Sequence, residues 1–458
     1  MKFVPNLDKN FLPIELAIRN YEKRVQESAQ KNEVVLCVER EDGYNYIYTC
    51  PVFSDNTGHD EENYGIVERI AKAILWVVGG YKIYISGSPY IYERLKADYS
   101  VNGAREFDKT LMSRVYEKDF EVVFVDKKDI PQPKSCSVSV GGHLDGCRIG
   151  FDAGGSDRKV SAVVDGKVVY SEEVVWHPKQ NSDPKYHYDG ILTAMKTAAS
   201  KMERVDAIGV SSAGIYVNNR IMIASLFVRV PDDVFEKEVK NMYIDVAKNF
   251  GDVPLTVAND GDVTALAGAI DLEDNCVLGI AMGTSEAVGY INSSGGINGW
   301  LSELAFVPVD FNKSAMVDEW SGDYGCGVKY FSQDGVIKLA ELGGHVFKEG
   351  ATPAEKLKEI QSLMQNESPL AYKIYEDIGI YLGYTLPFYA RFYDIKHVLL
   401  LGRVTSGLGG DIIIKKAKEV LQSEFPEYKD FDLGMPDEKS RRVGQSIAAA
   451  SLPKIIKE

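Results

Sequence analysis

Two acidic residues and three turns rich in glycine and hydroxyls are the positions whose types and spacing could do chemistry here. The first turn lies in Ile149-Gly150-Phe151-Asp152-Ala153-Gly154-Gly155-Ser156-Asp157-Arg158-Lys159. An apolar strand runs into an Asp, and the paired glycines then let backbone N–H groups approach a phosphate closely. An Asp at the strand end can order a hydrated Mg²⁺ beside those phosphates. The same Asp-Gly-Gly turn also closes ordinary hairpins, so its meaning depends on the rest of the chain.

Three later stretches answer it. The short apolar strand Pro254 to Ala258 ends on Asn259-Asp260, and Gly261-Asp262 opens a small-residue helix from Val263 to Ile270. Polar residues at a strand's carboxyl end, before a helix, stand where open α/β sheets place ligands. Helix capping is the competing role for Asn259 and Asp262. For Asp262 capping is preferred; for Asp260 the two roles weigh evenly on local grounds. Next, Met282-Gly283-Thr284-Ser285-Glu286 repeats the logic of the first turn inside a second hairpin. Two such hairpins, about a half-domain apart, imply duplicated halves facing a shared phosphate site. Last, the buried strand His397 to Leu401 enters Gly402-Arg403-Val404-Thr405-Ser406-Gly407-Leu408-Gly409-Gly410-Asp411 and then a helix. Glycines there let backbone pack against a flat ring or simply turn the chain, and by itself the turn is preferred.

The elements needed to position these residues are legible. Around the first turn the pattern predicts strands ending at Asp152, over Val160 to Val164, and over Lys167 to Val175. A polar loop, His177 to Tyr188, leads to a helix from Ile191 to about Met202. Asp206 to Gly214 reads as a buried strand ending in small residues, and Asp232 to Phe250 as one helix with an acidic start that suits its dipole. Upstream, Met1 to about Pro133 reads as an α/β module. Its helices are expected over Ile14 to Ser28, Tyr64 to Val78 (ending at Gly79-Gly80) and Pro89 to Tyr99. Its strands are expected over Glu33 to Glu39, Tyr44 to Val52, Lys82 to Ser86 and Glu121 to Asp126. That order echoes half of a duplicated fold, but Glu39-Arg40-Glu41-Asp42-Gly43 is acidic where a phosphate turn wants glycines. Pro131-Gln132-Pro133 and the run Ser135 to Gly142 read as a linker.

The 458 residues suffice for two or three domains, and 52 basic against 67 acidic residues leave a net charge of -15. Such a balance disfavours nucleic acid and anionic membrane as partners. Cysteines at 37, 50, 136, 147, 276 and 326 show no CxxC spacing, which fits a reducing, cytoplasmic setting. No apolar run reaches transmembrane length.

These segments, in this order, resemble the actin-like ATPase superfamily, and within it the ROK sugar kinases, over roughly Arg148 to Lys454. The first phosphate motif matches Asp152, Gly154, Gly155, Ser156 and Lys159; the catalytic motif matches Asn259, Asp260, Ala265, Ala267 and Gly268. The second phosphate motif matches Gly283 and Thr284, with Ser285 replacing a glycine. The adenosine motif matches Gly402, Ser406, Gly407, Gly409 and Gly410, with Arg403 replacing a glycine, and Gly444 to Ala450 resembles the closing helix. The resemblance implies an α/β fold of duplicated, ribonuclease H-like halves around a nucleotide cleft, over 146–270 and 271–458, with an accessory module over 1–134. It implies ATP and Mg²⁺ as cofactors, Asp152 holding the metal through water, and Asp260 as general base toward a sugar hydroxyl. Asn259 and Glu303 would hold neighbouring hydroxyls of a hexose or amino sugar. Nucleotide contacts would come from the glycines and hydroxyls just named, Ser285 included. The family often carries Gly-Glu-Leu-Gly-His, its His on zinc; here Ser302-Glu303-Leu304-Ala305-Phe306 keeps the Glu alone, and Asp323 to Gly327 keeps a single cysteine. One cysteine makes no structural zinc site, so no zinc is expected.

A catalytically weakened sensor or regulator on the same fold is the alternative, and a homodimer is an open expectation. An activator ATPase with a shared iron–sulfur cluster is weakest, because Cys147 and Cys276 have no suitable partners in sequence. Other conspicuous residues receive structural roles. Lys159 is assigned to the hairpin surface, and Tyr372, Tyr375, Tyr381 and Tyr384 to helix packing. His345 is taken as structural, and Trp176, His177 and Tyr186 to Tyr188 as a surface loop.

Overall fold

Apolar residues at 14, 18, 21 and 25 recur at helical spacing, and Ile14–Glu27 forms α1 with that stripe buried. The computed structural model describes residues 1–135, 140–436 and 438–455, and for 438–443 the backbone only. Of the expected linker, Cys136 and residues 137–139 lie outside the described residues. β1 (Lys31–Glu39) pairs antiparallel with β2 (Asn45–Phe53). The turn between them uses Asp42 and Gly43 at φ +55° and +73°. α2 (Asp60–Val78) stops at Gly79, φ +85°, as the glycine pair implied. β3 (Lys82–Ser86), α3 (Pro89–Asp98), α4 (Glu106–Tyr116) and β4 (Glu121–Phe124) follow. α4 has no counterpart among the helices expected from sequence. The sheet order is β2-β1-β3-β4, with β3 antiparallel to β1 and parallel to β4. A ribonuclease H-like half needs the strand after the helix parallel to the first, so the module's echo of that half ends at element order.

The central stretch does have that topology. β5 (Cys147–Ala153), β6 (Asp157–Val164) and β7 (Lys167–Val175) form an antiparallel meander. α5 (Pro184–Ala199) begins earlier than expected because Asp183 caps it, accepting from the Lys185 amide at 2.9 Å. β8 (Ala207–Ser212) leads into a small hairpin, β9 (Ile215–Val217) and β10 (Arg220–Ile223). The expected helix over 232–250 is broken into a one-turn α6 (Asp232–Val234), a π-helical turn and α7 (Met242–Ala247). The cause is tertiary: the Lys240 carbonyl accepts from the Ile221 amide of β10 at 2.9 Å, leaving the helical ladder. β11 (Leu255–Asn259) then enters α8 (Asp260–Leu272). The sheet order is β11-β8-β5-β6-β7, the first three strands parallel. Ile149, Phe151, Ile208 and Val210 of that sheet pack with Trp176, Ile191, Met195 and Phe227.

β12 (Val277–Met282) and β13 (Glu286–Ile291) come next, then α9 (Gln333–Leu342), α10 (Pro353–Gln365) and α11 (Pro369–Tyr389). β14 (His397–Leu401), α12 (Leu408–Glu424), β15 (Asp432–Gly434) and α13 (Glu438–Ala450) complete the chain. The sheet order is β13-β12-β14-β15. Packing divides the molecule into two units. One holds Met1–Cys136, Ile280–Ala287 and Gly299–Met435; the other holds Ser137–Gly279, Val288–Asn298 and Pro436–Glu458. The N-terminal module therefore shares a unit with α9 to α12, while α13 packs on the five-stranded sheet of the other. Gly209 of β8 is needed for that packing, since a Cβ there would lie 1.7 Å from the Ala449 carbonyl.

Candidate functional site

In the unit built on the five-stranded sheet, three parallel strands deliver polar residues at their carboxyl ends. Asp152 of β5 sits beside Ser211 of β8, and Ser212 beside Asn259 of β11. Ser211 Oγ donates to Asp152 Oδ1 at 2.8 Å. Burial pushes the Asp152 carboxyl up, while the Ser211 hydrogen bond and the Lys159 ammonium pull it back. Lys159 stands opposite Asp152 on β6, with Nζ 3.9 Å from Asp152 Oδ2 and 3.5 Å from Asp157 Oδ1. It faces the site rather than the hairpin surface assigned to it, because cross-strand pairing with Asp152 fixes its side.

Asn259 caps α8: its Oδ1 accepts from the Gly261 amide at 2.7 Å, and its Nδ2 donates to the Gly214 carbonyl at 2.8 Å. One amide hydrogen and one lone pair are left beyond those two bonds. Asp262, assigned a capping role from sequence, instead accepts from the Tyr290 amide at 3.1 Å, since Asn259 already occupies the cap. Asp260 keeps a partly accessible face but is otherwise crowded by protein. Burial, and then the Asp152 charge, push its carboxyl up to about 6, opposed by the Gly261 amide and by Lys179.

Lys179 had no signal in the sequence. A Cβ placed on Gly155 would lie 3.4 Å from its Nζ, so its ammonium stands over the first glycine turn. Trp176 carries that turn: its Nε1 donates to the Gly154 carbonyl at 2.8 Å and its amide to the Ser156 carbonyl at 3.1 Å. Trp176 and His187 are thus no surface loop; they are 2% and 0% exposed. The His187 ring stacks on Phe227, centroids 4.9 Å apart, and burial pushes it down to about 4, leaving it neutral.

The other unit holds the remaining candidates. The turn Gly283-Thr284-Ser285 is closed by the Gly283 amide donating to the Ser285 carbonyl at 3.0 Å. Arg403 Nη2 donates to Thr284 Oγ1 at 2.6 Å, and the Val404 amide to the Met282 carbonyl at 3.0 Å. The turns at Gly283-Thr284-Ser285 and Gly402 to Gly410 are therefore laid side by side, and Arg403 ties them. Gly402, φ +94°, permits this: a Cβ there would lie 2.3 Å from the Met282 carbonyl. Ser406 and Gly407 are exposed on the turn, whereas Gly409 and Gly410 are buried. A Cβ on Gly409 would meet the Tyr375 ring at 2.5 Å, so these two glycines seat α12.

Glu303 stands just before a short helical turn, Leu304–Phe306, its amide donating to the Trp76 carbonyl at 3.0 Å. Glu286, unmarked by any motif, is buried, and neither carboxyl oxygen has a hydrogen-bond partner. Burial, and then Glu303, push it up to about 8, opposed by the nearby Tyr389 hydroxyl. Where the resembling family places zinc, the donor set does not fit the ion. Phe306 packs its ring on Trp76, centroids 4.3 Å apart. Cys326 Sγ lies 3.9 Å from the Lys72 ammonium, and burial pushes its thiol up to about 12. Among the described residues no group of three or more His, Cys, Asp or Glu could hold a metal ion. His345 has a structural partner, Glu359, at 2.9 Å. Tyr375, Tyr381 and Tyr384 are buried in α11 as packing residues. Among the described residues no helix is long and apolar enough to cross a membrane.

No family model and no curated relative matches the chain. Solved structures do. The ROK hexokinase from Thermus thermophilus superposes with a TM-score of 0.53 at 16% identity, over 67% of this chain and 97% of that one. A ROK family transcriptional regulator, a homolog of the E. coli MLC protein, superposes with a TM-score of 0.52 at 17% identity, over 68% of this chain and 79% of that one. At such identities the likeness concerns the fold, and the fold is that of the ROK kinases and regulators, actin-like as expected.

Proposed function

We propose that the chain is an ATP-dependent sugar kinase that moves a γ-phosphoryl group onto a hexose or amino-sugar hydroxyl. The carrying observation is Asp152 at the carboxyl end of β5 and Asp260 just past the carboxyl end of β11, parallel strands of one sheet with β8 between them, beside a glycine turn. Phosphoryl transfer asks mainly for positioning and charge neutralisation. Asp260, held near 6, is ionised at neutral pH yet basic enough to accept the proton of an attacking hydroxyl. The remaining hydrogen-bonding capacity of Asn259 and the carboxylate of Glu303 would orient neighbouring hydroxyls. Backbone amides of the Gly154-Gly155-Ser156 and Gly283-Thr284-Ser285 turns would hold phosphate oxygens, with Lys179 adding positive charge over the first. The exposed surface of the Gly402, Ser406 and Gly407 turn would take the nucleoside, with Gly409 and Gly410 supporting it through α12.

The residues fit a magnesium ion. Asp152, its carboxylate oriented by Ser211, would order the water shell of the ion, as a strand-end Asp can beside phosphates. Bound there through water, Mg²⁺ would neutralise phosphate charge. The regulator reading draws support from the equal likeness to a ROK regulator and from the engagement of the Asn259 amide in capping. The two part on one experiment: ADP release from ATP–Mg²⁺ with a panel of hexoses, amino sugars and N-acyl amino sugars, wild type beside Asp260→Asn. Sugar-dependent release lost in the variant supports the kinase. Binding of sugar or ATP without release by wild type supports the regulator.

A further inference from the structure

The last turn of a helix leaves carbonyls without intrahelical partners. At the end of α2, Trp76, Val77 and Val78 accept from the amides of Glu303, Ser302 and Leu301 at 3.0, 2.9 and 3.4 Å. Three consecutive residues of the segment that presents Glu303 are thus hung on a helix more than 200 positions earlier. Side chains reinforce the contact. Phe306 packs on Trp76, and a Cβ on Gly79 would lie 2.0 Å from the Tyr116 hydroxyl and 2.7 Å from the Leu301 side chain. Ser302 is buried and held at φ +51°, a conformation that a non-glycine residue keeps only when its surroundings over-determine it. Tyr393 contributes by donating to Ser302 Oγ at 3.2 Å.

α2 is itself fixed by buried charge. Arg69 grips Asp323 with two nitrogens, at 3.0 and 3.1 Å, and Lys72 reaches the same carboxylate at 2.6 Å. Arg105 adds bonds to Asp323 at 3.0 Å and to Glu68 at 2.6 Å. Removing one partner of such a buried group leaves an uncompensated charge, so Asp323 and its three cations pin α2 to the loop that carries Asp323. Asp323 and Cys326 lie in the same short loop, so the cations of α2 occupy the place that has no zinc donor set.

We propose that the N-terminal module is the positioning element for Glu303, with Lys72, Arg69 and Trp76 as positioning residues that set acceptor affinity without touching the acceptor. This rests on the reading of Glu303 as an acceptor ligand. The test uses the full chain with Lys72→Met, which leaves both arginines on Asp323. Steady-state kinetics are run for acceptor and for ATP, with hydrogen exchange followed over 301–303. The acceptor KM rises about tenfold with the ATP KM unchanged, and exchange at 301–303 quickens. Equal loss for both substrates, or an unchanged acceptor KM with quickened exchange, overturns the proposal. So does exchange as slow as in wild type. Should Lys72→Met not fold, Trp76→Phe is read by the same criteria. A wild type that phosphorylates no sugar, whether or not it binds one, removes the kinase reading before a variant is made, and the proposal with it.

Discussion

Ser211 Oγ donates to Asp152 Oδ1 at 2.8 Å, across two parallel strands whose registers place the two residues side by side. The bond favours the charged form of a carboxyl whose pKa burial pushes up. Ser211→Ala removes it from a buried anion, worth about 1.5–3 kcal/mol. The Mg²⁺ concentration for half-maximal ADP release is expected to rise about tenfold. An unaltered Mg²⁺ titration would remove Asp152 from the metal site.

Asp260→Asn separates chemistry from stability. Turnover is expected to fall by about 10²–10⁴. Thermal stability at neutral pH moves the other way. The folded carboxyl titrates near 6, above its unfolded value, so ionised Asp260 costs the fold of the order of 1–3 kcal/mol. A variant that loses both activity and melting temperature would mark Asp260 as structural.

The same carboxyl sets a pH limb. A general base must be ionised, so kcat/KM for the acceptor falls as pH drops through about 6. Lys179 opposes the upward shift, and Lys179→Met therefore moves the limb to higher pH. A limb that stays put in the variant would disconnect Lys179 from Asp260.

Glu286 gives a stability signature of its own. Its folded carboxyl titrates at about 8 against an unfolded value of about 4.3. Between those values the folded chain holds a proton that the unfolded chain has released, so this group's contribution falls as pH rises through the window. Glu286→Gln abolishes that loss. The melting-temperature advantage of the variant is expected to grow from pH 5 to pH 9, and a constant difference would show that Glu286 finds a partner when ionised.

The two glycine turns, the strand leading into Asp260 and the glycine end of α2 were legible because each is local: a hydrophobic run, then residues that only a turn or cap accommodates. The duplicated fold was expected through the family resemblance, and the five-stranded sheet is consistent with it, a meander leading into parallel crossovers. The helix over 232–250 failed for the opposite reason. Its own residues suit a helix, and it breaks because a distant β10 amide captures the Lys240 carbonyl.

Side chains brought in from elsewhere were invisible. Lys179 arrives over Gly155 from 24 positions on, and Trp176 reads as a loop residue until its indole bonds Gly154. The sequence by itself determined which residues could carry the chemistry and which strands hold them, because turn geometry and strand-end position depend on neighbours along the chain. Tertiary structure alone decided which carboxyls are lifted, which lysines face them, and that α2 holds the Glu303 segment. Those properties arise from burial and from contacts between positions far apart in sequence, and no local pattern encodes either.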